Sequence, residues 1–120
     1  MTVKKSSTNL IHDKHVKGIV SELRAAQILL ELGFLVFKNV APNGMIDLIA
    51  ISPDNETFRI DVKTASRRTK KTNFRKEGDL IFRTPTVEQK KYDVVLMIVD
   101  REEFKILPTH SPLSKWLKRN

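Results

Sequence analysis

Two strand-like runs, at residues 45–52 and 57–64, constrain the fold of this chain more than any other feature of its sequence. The residues between them, Pro-Asp-Asn-Glu, are typical of a turn. A three-residue loop at 53–55 predicts an antiparallel hairpin, because Asn tolerates the left-handed conformation that such loops require. In that register Asp47 lies directly opposite Asp61.

The predicted hairpin separates its charged and apolar side chains. Because side chains alternate along a strand, Asp47, Asp61 and Lys63 share one face. The opposite face is entirely apolar and consists of Ile46, Leu48, Ala50, Phe58, Ile60 and Val62. A slip of one residue would mix charged and apolar side chains on both faces, so the hydrophobic pattern selects this register.

The two facing carboxylates need a compensating positive charge. Like charges at opposite positions of neighbouring strands are destabilising. Either Lys63 or a divalent cation could provide the compensation. Oxygen ligands in a chain without Cys favour Mg²⁺ or Mn²⁺ over zinc. The alternative is that the three charges protect an edge strand from aggregation.

The region from about residue 13 to residue 32 has the periodicity of an amphipathic helix, and Gly33 follows as a candidate C-terminal cap. The predicted buried stripe consists of Val16, Ile19, Leu23, Ala26 and Leu30. Glu22 lies on the margin of this stripe and is a third candidate acid for the site. The alternative is an ordinary glutamate at the boundary of a helix.

The remaining sequence completes an α/β domain. It predicts strands at 34–40, 79–83 and 92–100, a helix at 86–91 and a closing helical turn around 113–117. Residues 1–12 form a flexible basic arm in this interpretation, and residues 13–120 form one domain. The chain shows no secretory signal and no apolar run that could span a bilayer, which predicts a cytoplasmic protein without membrane contact.

The charge balance indicates a polyanionic partner. The chain has 120 residues, 22 Lys and Arg against 14 Asp and Glu, and a net charge of +8. The basic residues are concentrated in one stretch of ten residues, at Arg67, Arg68, Lys70, Lys71, Arg75 and Lys76. Such dense positive charge favours a nucleic-acid contact, and the alternative is a solvated charged loop.

Four elements in chain order resemble the active site of the PD-(D/E)xK nuclease superfamily. They are Glu22 on an early helix, Asp47 at the start of a hairpin, and Asp61 and Lys63 on the next strand. The flanking residues Lys17-Gly18, Gly33-Phe34, Leu48-Ile49-Ala50 and Thr64 are similar to those of archaeal Holliday junction resolvases and of small phage and intron-associated homing endonucleases. The resemblance covers residues 14 to 100, and Ile46 stands where the name-giving proline would be.

This resemblance implies a restriction-endonuclease-like core in the order α-β-β-β-α-β, with a mixed β-sheet flanked by helices. It implies that Asp47, Asp61 and the backbone carbonyl of Val62 bind one Mg²⁺, for which Mn²⁺ can substitute, and that Glu22 reaches the metal directly or through water. Lys63 would position or help deprotonate the attacking water. The implied catalytic residues are therefore Glu22, Asp47, Asp61 and Lys63.

The function that follows is a metal-dependent DNA endonuclease that contacts DNA through Lys17 and the basic stretch. A chain of 120 residues leaves little room for a separate base-reading domain, which favours structure-selective cleavage of branched DNA such as a Holliday junction. The alternatives are a site-specific homing or restriction-like endonuclease, a non-catalytic nucleic-acid-binding protein and a basic protein-interaction module. Cleavage of both strands needs two active sites, so we expect a homodimer. A phage-encoded protein would act in the cytoplasm of its host.

Overall fold

The computed structural model describes residues 13–41, 44–66 and 83–120. Along these residues the order is α1 (Asp13–Glu31), β1 (Leu35–Lys38), β2 (Leu48–Ile51), β3 (Thr57–Thr64), α2 (Val87–Lys91), β4 (Val94–Asp100), β5 (Glu103–Leu107) and α3 (Pro112–Arg119). The predicted α/β class is confirmed, β5 extends the predicted order, and α3 lies where the closing helical turn is predicted. The arm at residues 1–12 and residues 79–82 of the predicted fourth strand lie outside the described residues.

The strands form one mixed sheet in the order β1-β2-β3-β4-β5. All neighbouring pairs are antiparallel except β3 and β4, which are parallel. A parallel pair needs a crossover connection, and the chain between β3 and β4 supplies it and contains α2. Strand β4 lies between β3 and β5 and is buried along most of its length, which explains its nearly continuous apolar sequence.

The β2–β3 hairpin has the predicted turn and register. The Ser52 N–H donates to the Glu56 carbonyl at 2.8 Å, and Asn55 adopts the expected left-handed conformation with φ 69°. Leu48 pairs with Ile60 at the other end of the ladder. The residues one step beyond that pair, Asp47 and Asp61, therefore face each other as the alternation predicts.

Helix α1 ends at the glycine that the sequence indicates. Gly33 has φ +91°, and its N–H donates to the Leu30 carbonyl at 3.0 Å. The N–H of Phe34 donates to the Leu29 carbonyl at 3.0 Å. This pair of bonds is the Schellman arrangement, which turns the chain from α1 directly into β1.

The predicted buried stripe on α1 is wrong. Four of its five residues are at least half exposed: Val16 at 51%, Ile19 at 52%, Leu23 at 60% and Leu30 at 57%. The buried face consists instead of Ser21, Ala25 and Leu29. Two of these side chains are small, so the helix backbone can approach the sheet closely. Ser21 Oγ lies 2.7 Å from Thr64 Oγ1, which ties α1 to the end of β3.

One hydrophobic cluster joins α1 and α3 to the apolar face of the hairpin. Trp116 of α3 packs edge-on against Phe34, with ring centroids 4.6 Å apart. Its Nε1–H donates to Asp54 Oδ1 in the hairpin turn at 2.8 Å. The predicted closing turn is therefore a helix that anchors the β2–β3 loop. The charged face of the hairpin lies on the opposite side of the sheet, together with α2.

None of the helices among the described residues is long and apolar enough to cross a membrane.

Candidate active site

Backbone hydrogen bonds to both neighbouring strands hold Asp47 just before β2. Its N–H donates to the Ile60 carbonyl at 2.8 Å, and its carbonyl accepts from the Asn39 N–H at 2.9 Å. The Oδ2 atom of Asp47 accepts a hydrogen bond from the Val62 N–H at 2.8 Å. The ladder therefore fixes the position of this residue, and a backbone donor directs its carboxylate towards β3.

Asp61 is the buried acid of the site, with 3% of its surface exposed. Its Oδ2 atom accepts a hydrogen bond from Gln89 Nε2 at 2.8 Å and lies 3.2 Å from Lys63 Nζ. The Lys63 side chain is 40% exposed, so its ammonium group reaches Asp61 from the solvent side. These two donors offset part of the cost of burying a carboxylate.

The two aspartates face each other and influence each other's charge. Burial is the largest cause that raises the pKa of Asp47, from 3.8 to about 7, and a side-chain hydrogen bond to Asp61 is the next. The Val62 N–H acts in the opposite direction, and the negative charges of Asp61 and Glu22 add to the increase in pKa. Asp47 thus tends to hold a proton near neutral pH, because burial and two neighbouring acids outweigh the one backbone donor that stabilises its charge.

A cleft of about 320 Å³ opens beside Asp61. It is lined by Asp61, Lys63 and Gln89 and by three residues of the segment before α2, Arg83, Thr84 and Thr86. Arg83 is exposed and donates from Nη2 to Ser66 Oγ at 3.3 Å. The cleft therefore brings acidic, ammonium, guanidinium and hydroxyl groups together, which is a suitable lining for a phosphate group beside a cation.

Sequence reasoning missed Gln89, which is buried on α2. Its Oε1 atom accepts from the Thr86 N–H at 3.0 Å, which closes a capping box at the start of the helix. Its Nε2 atom donates to Asp61 and also to the Met45 carbonyl at 3.2 Å. The T-x-x-Q spacing is visible in the sequence, but it indicates only the cap. The contact with Asp61 depends on how α2 docks on the sheet.

Glu22 lies apart from the aspartate pair. It is half-buried and lines a second cleft, between α1 and β1, with Lys38 and Leu48. Within residues 13–41, 44–66 and 83–120, no group of three or more His, Cys, Asp or Glu side chains is close enough to hold a metal ion. The structure therefore brings together Asp47, Asp61 and Lys63, whereas Glu22 acts on Asp47 through its charge.

The other predicted site residues are placed as follows. Val62 contacts the site through its N–H, and its side chain is buried in the core. Lys17 lies on the exposed part of α1 and lines a cleft of about 490 Å³ together with Arg24 and Arg101. The six basic residues from Arg67 to Lys76 lie outside the described residues, so their contact with DNA stays a prediction.

Comparisons with known proteins support the fold. No family model matches the chain, and no curated protein matches it. Among solved structures, the fold matches that of the bacterial homing endonuclease I-Ssp6803I with a TM-score of 0.57. The match covers 80% of this chain and 69% of that chain at 16% sequence identity. The protein therefore has a nuclease-like α/β fold, in which a five-stranded mixed sheet is flanked by helices.

Proposed function

We propose that this chain is a metal-dependent DNA endonuclease that hydrolyses phosphodiester bonds in the cleft beside Asp61. The observation that carries the proposal is that Asp47 and Asp61 face each other on neighbouring strands, with Lys63 Nζ 3.2 Å from the buried carboxylate of Asp61. A protein that only bound nucleic acid would gain nothing from two acids that repel phosphate and destabilise each other.

The donor set fits a hard divalent cation. Asp47 and Asp61 present carboxylate oxygens at facing positions of neighbouring strands, and burial together with the neighbouring acids Asp61 and Glu22 raises the pKa of Asp47. Carboxylates of this kind are the usual protein ligands of Mg²⁺ and Mn²⁺. Such an ion, when bound, would polarise the phosphodiester and offset the charge that develops in the transition state. In this proposal the Val62 carbonyl completes the ligand set, and Glu22, which lines the second cleft, acts on the ion through water.

The other side chains of the cleft have distinct roles in this proposal. Lys63 lines the cleft, where its ammonium group positions or helps deprotonate the attacking water. Arg83 also lines the cleft, where it would neutralise a phosphate of the bound strand. Gln89 keeps the Asp61 carboxylate in place through its 2.8 Å hydrogen bond.

The preferred substrate is a double-stranded target site in this proposal, because the matched fold is that of a homing endonuclease. Structure-selective cleavage of branched DNA is the second candidate. It is favoured by the net charge of +8, because backbone contacts can recognise the shape of DNA without reading bases. The two candidates share the same chemistry and differ only in how the DNA is selected.

Cleavage by matched variants tests the chemistry. Asp47→Asn and Asp61→Asn each replace a carboxylate, the proposed metal ligand, with a neutral amide of the same shape, so we expect both to abolish cleavage in Mg²⁺ while DNA binding is kept or tightened. The control is Asp93→Asn, which makes the same chemical change at an exposed residue with φ 57°, a conformation that Asn accepts. Near wild-type cleavage by Asp47→Asn or Asp61→Asn would overturn the assignment of the site.

The choice of DNA tests the substrate. The wild-type protein is incubated with Mg²⁺ or Mn²⁺ and supercoiled plasmid, nicked duplex, flap and four-way-junction DNA, and in parallel with a library of randomised duplexes whose cut ends are sequenced. Enrichment of one sequence around the cut ends supports the site-specific proposal. Cleavage of the junction irrespective of its sequence would support the second candidate instead.

A further inference from the structure

The outer face of α1 carries apolar side chains that no described element covers. Val16, Ile19, Leu23 and Leu30 are between 51% and 60% exposed, and Val20 is 46% exposed. The opposite face of the same helix supplies Ala25 and Leu29 to the core. We call the exposed set of Val16, Ile19, Leu23 and Leu30 the α1 stripe. A row of aliphatic side chains along a whole helix is costly to leave in water and marks an interaction surface.

The spacing of the α1 stripe indicates that its partner is another helix. Together with Ala26, its members follow one another at intervals of three, four, three and four residues, from residue 16 to residue 30. This is the spacing of the contact positions of a heptad repeat, which face a neighbouring helix along its length. An irregular apolar patch that binds a loop or a small ligand has no need of this regular spacing.

The stripe is also complementary to itself. Its central residue, Leu23, lies seven residues from Val16 and seven from Leu30. In an antiparallel pair of helices with a two-fold axis at Leu23, the Val16 of one copy faces the Leu30 of the other. The same arrangement brings Lys14, near the start of one helix, close to Glu31, at the end of the other, so the end charges are complementary.

A shallow cleft beside the stripe favours the same arrangement. It has a volume of about 150 Å³ and is lined by Leu23, Ala26, Leu30 and the β1 residue Val36, with Glu22 and Lys38 at its polar side. A protruding leucine next to an apolar cleft is what a two-fold contact requires, because each copy then offers both a side chain and a place for the side chain of its partner.

The exposed apolar area approaches that of a small dimer interface. A large aliphatic side chain removes roughly 60–120 Å² from water when it is fully buried, so the four stripe side chains and Val20, each about half exposed, offer roughly 150–300 Å² of apolar surface. An interface of about 1,200 Å² in total, with roughly 57% of it apolar, needs about 340 Å² per copy. Interfaces of this size are at the weak end of the specific ones, so we expect a dissociation constant on the order of 1 μM.

We infer that the α1 stripe binds a second copy of this chain, with the two α1 helices antiparallel across a two-fold axis at Leu23. The inference goes beyond the proposed function, because association of the protein can be measured without DNA, metal or cleavage.

The first experiment measures mass in solution. Sedimentation or light scattering over a range of protein concentration should show wild-type protein changing from the 13.8 kDa monomer to twice that mass. Leu23→Glu should weaken association by roughly 100-fold or more, because it places two like charges together at the axis. The matched control is Leu35→Glu, which changes a leucine of almost the same exposure, 61%, on the other face of the sheet. Circular dichroism checks that both variants are folded.

The second experiment tests the axis itself. Leu23→Glu and Leu23→Lys proteins should each be monomers alone and should form a heterodimer when mixed, because their opposite charges meet only if residue 23 faces residue 23. The chain has no Cys, so a single Leu23→Cys substitution should give a disulfide-linked dimer on mild oxidation, whereas Leu35→Cys should not.

Three results would overturn the inference. The first is a wild-type monomer at concentrations on the order of 1 mM, which would leave the stripe to another occupant. The second is a dimer that Leu35→Glu disrupts and Leu23→Glu does not. The third is a mixture of Leu23→Glu and Leu23→Lys proteins that remains monomeric although both variants are folded.

Discussion

Replacing Asp47 with Asn should make the metal-free protein more stable at alkaline pH, although the same change abolishes the proposed activity. The pKa of Asp47 is raised from 3.8 to about 7, chiefly by burial and by its contact with Asp61. The folded state therefore holds more protons than the unfolded state between about pH 4 and pH 7. The free energy of unfolding falls as the pH rises through this interval, and the decrease is complete above about pH 7.

The size of the effect follows from the shift. The difference between 3.8 and about 7 corresponds to about 4 kcal/mol at most. Asp47 is only half-buried, so screening by solvent reduces this to about 2–3 kcal/mol. The Asn side chain is neutral at every pH, can accept from the Val62 N–H as Asp47 does, and can donate to Asp61. For a chain of this length the gain is about 4 °C in Tm per kcal/mol, or roughly 8–12 °C at about pH 8.

Urea unfolding in the presence of EDTA, at about pH 4 and about pH 8, measures this difference. We expect Asp47→Asn to be more stable than wild type at the higher pH and nearly equal to it at the lower pH. Asp93→Asn should show no gain that depends on pH, since Asp93 is exposed. Adding Mg²⁺ at the higher pH should stabilise the wild type more than Asp47→Asn, because only the wild type keeps both proposed ligands. A variant that gains nothing at the higher pH, or gains equally at both pH values, would refute the reasoning.

Four further predictions concern the proposed activity. Lys63→Met should lower the rate of cleavage by roughly 10²–10⁴-fold. The variant should stay folded because the Lys63 side chain is 40% exposed, and an unfolded variant would show that Lys63 has a structural role. Glu22→Gln should lower activity by roughly 10–100-fold with partial recovery at high Mn²⁺, and normal cleavage at low Mg²⁺ would remove Glu22 from the site. Gln89→Leu should raise the Mg²⁺ concentration needed for half-maximal cleavage. Val87→Gly, which loosens α2 at an exposed residue outside the cleft, should leave that concentration unchanged. Neutralising Lys70, Lys71, Arg75 and Lys76 together should reduce the slope of log K against log salt concentration for DNA binding, by about 0.9 for each phosphate contact that is lost. An unchanged slope would indicate a solvated loop.

The hairpin can be predicted from the sequence because every local signal agrees there. The turn residues, the left-handed Asn55 and the strict alternation of apolar side chains all select one register, and a slip would expose the apolar face. The positions of Asp47, Asp61 and Lys63 follow from that register without further information. The part of the site that depends on the ladder is therefore encoded locally, in the residues of the hairpin itself.

The parts that sequence reasoning missed depend on contacts between distant segments. Strand β5 follows a tight turn at Arg101, which has φ 58° although arginine is not a typical turn residue. Gln89 lies 28 residues from Asp61, and Arg83 reaches the cleft from the segment before α2. No periodicity or spacing relates such positions, because the docking of α2 on the sheet brings them together.

Helix α1 shows why a correct pattern can lead to a wrong orientation. Hydrophobic periodicity predicts that an apolar stripe is buried, but it does not identify the element that buries it. Here the face of α1 that carries Ser21 and Ala25 packs against the sheet, because these small side chains let the helix approach the sheet closely and Ser21 can form a hydrogen bond with Thr64. The larger side chains, such as Leu23, are left exposed on the outer face of the helix. If a second copy covers these side chains, the periodicity predicts their burial correctly. The prediction then fails only because the surface that buries them belongs to another chain.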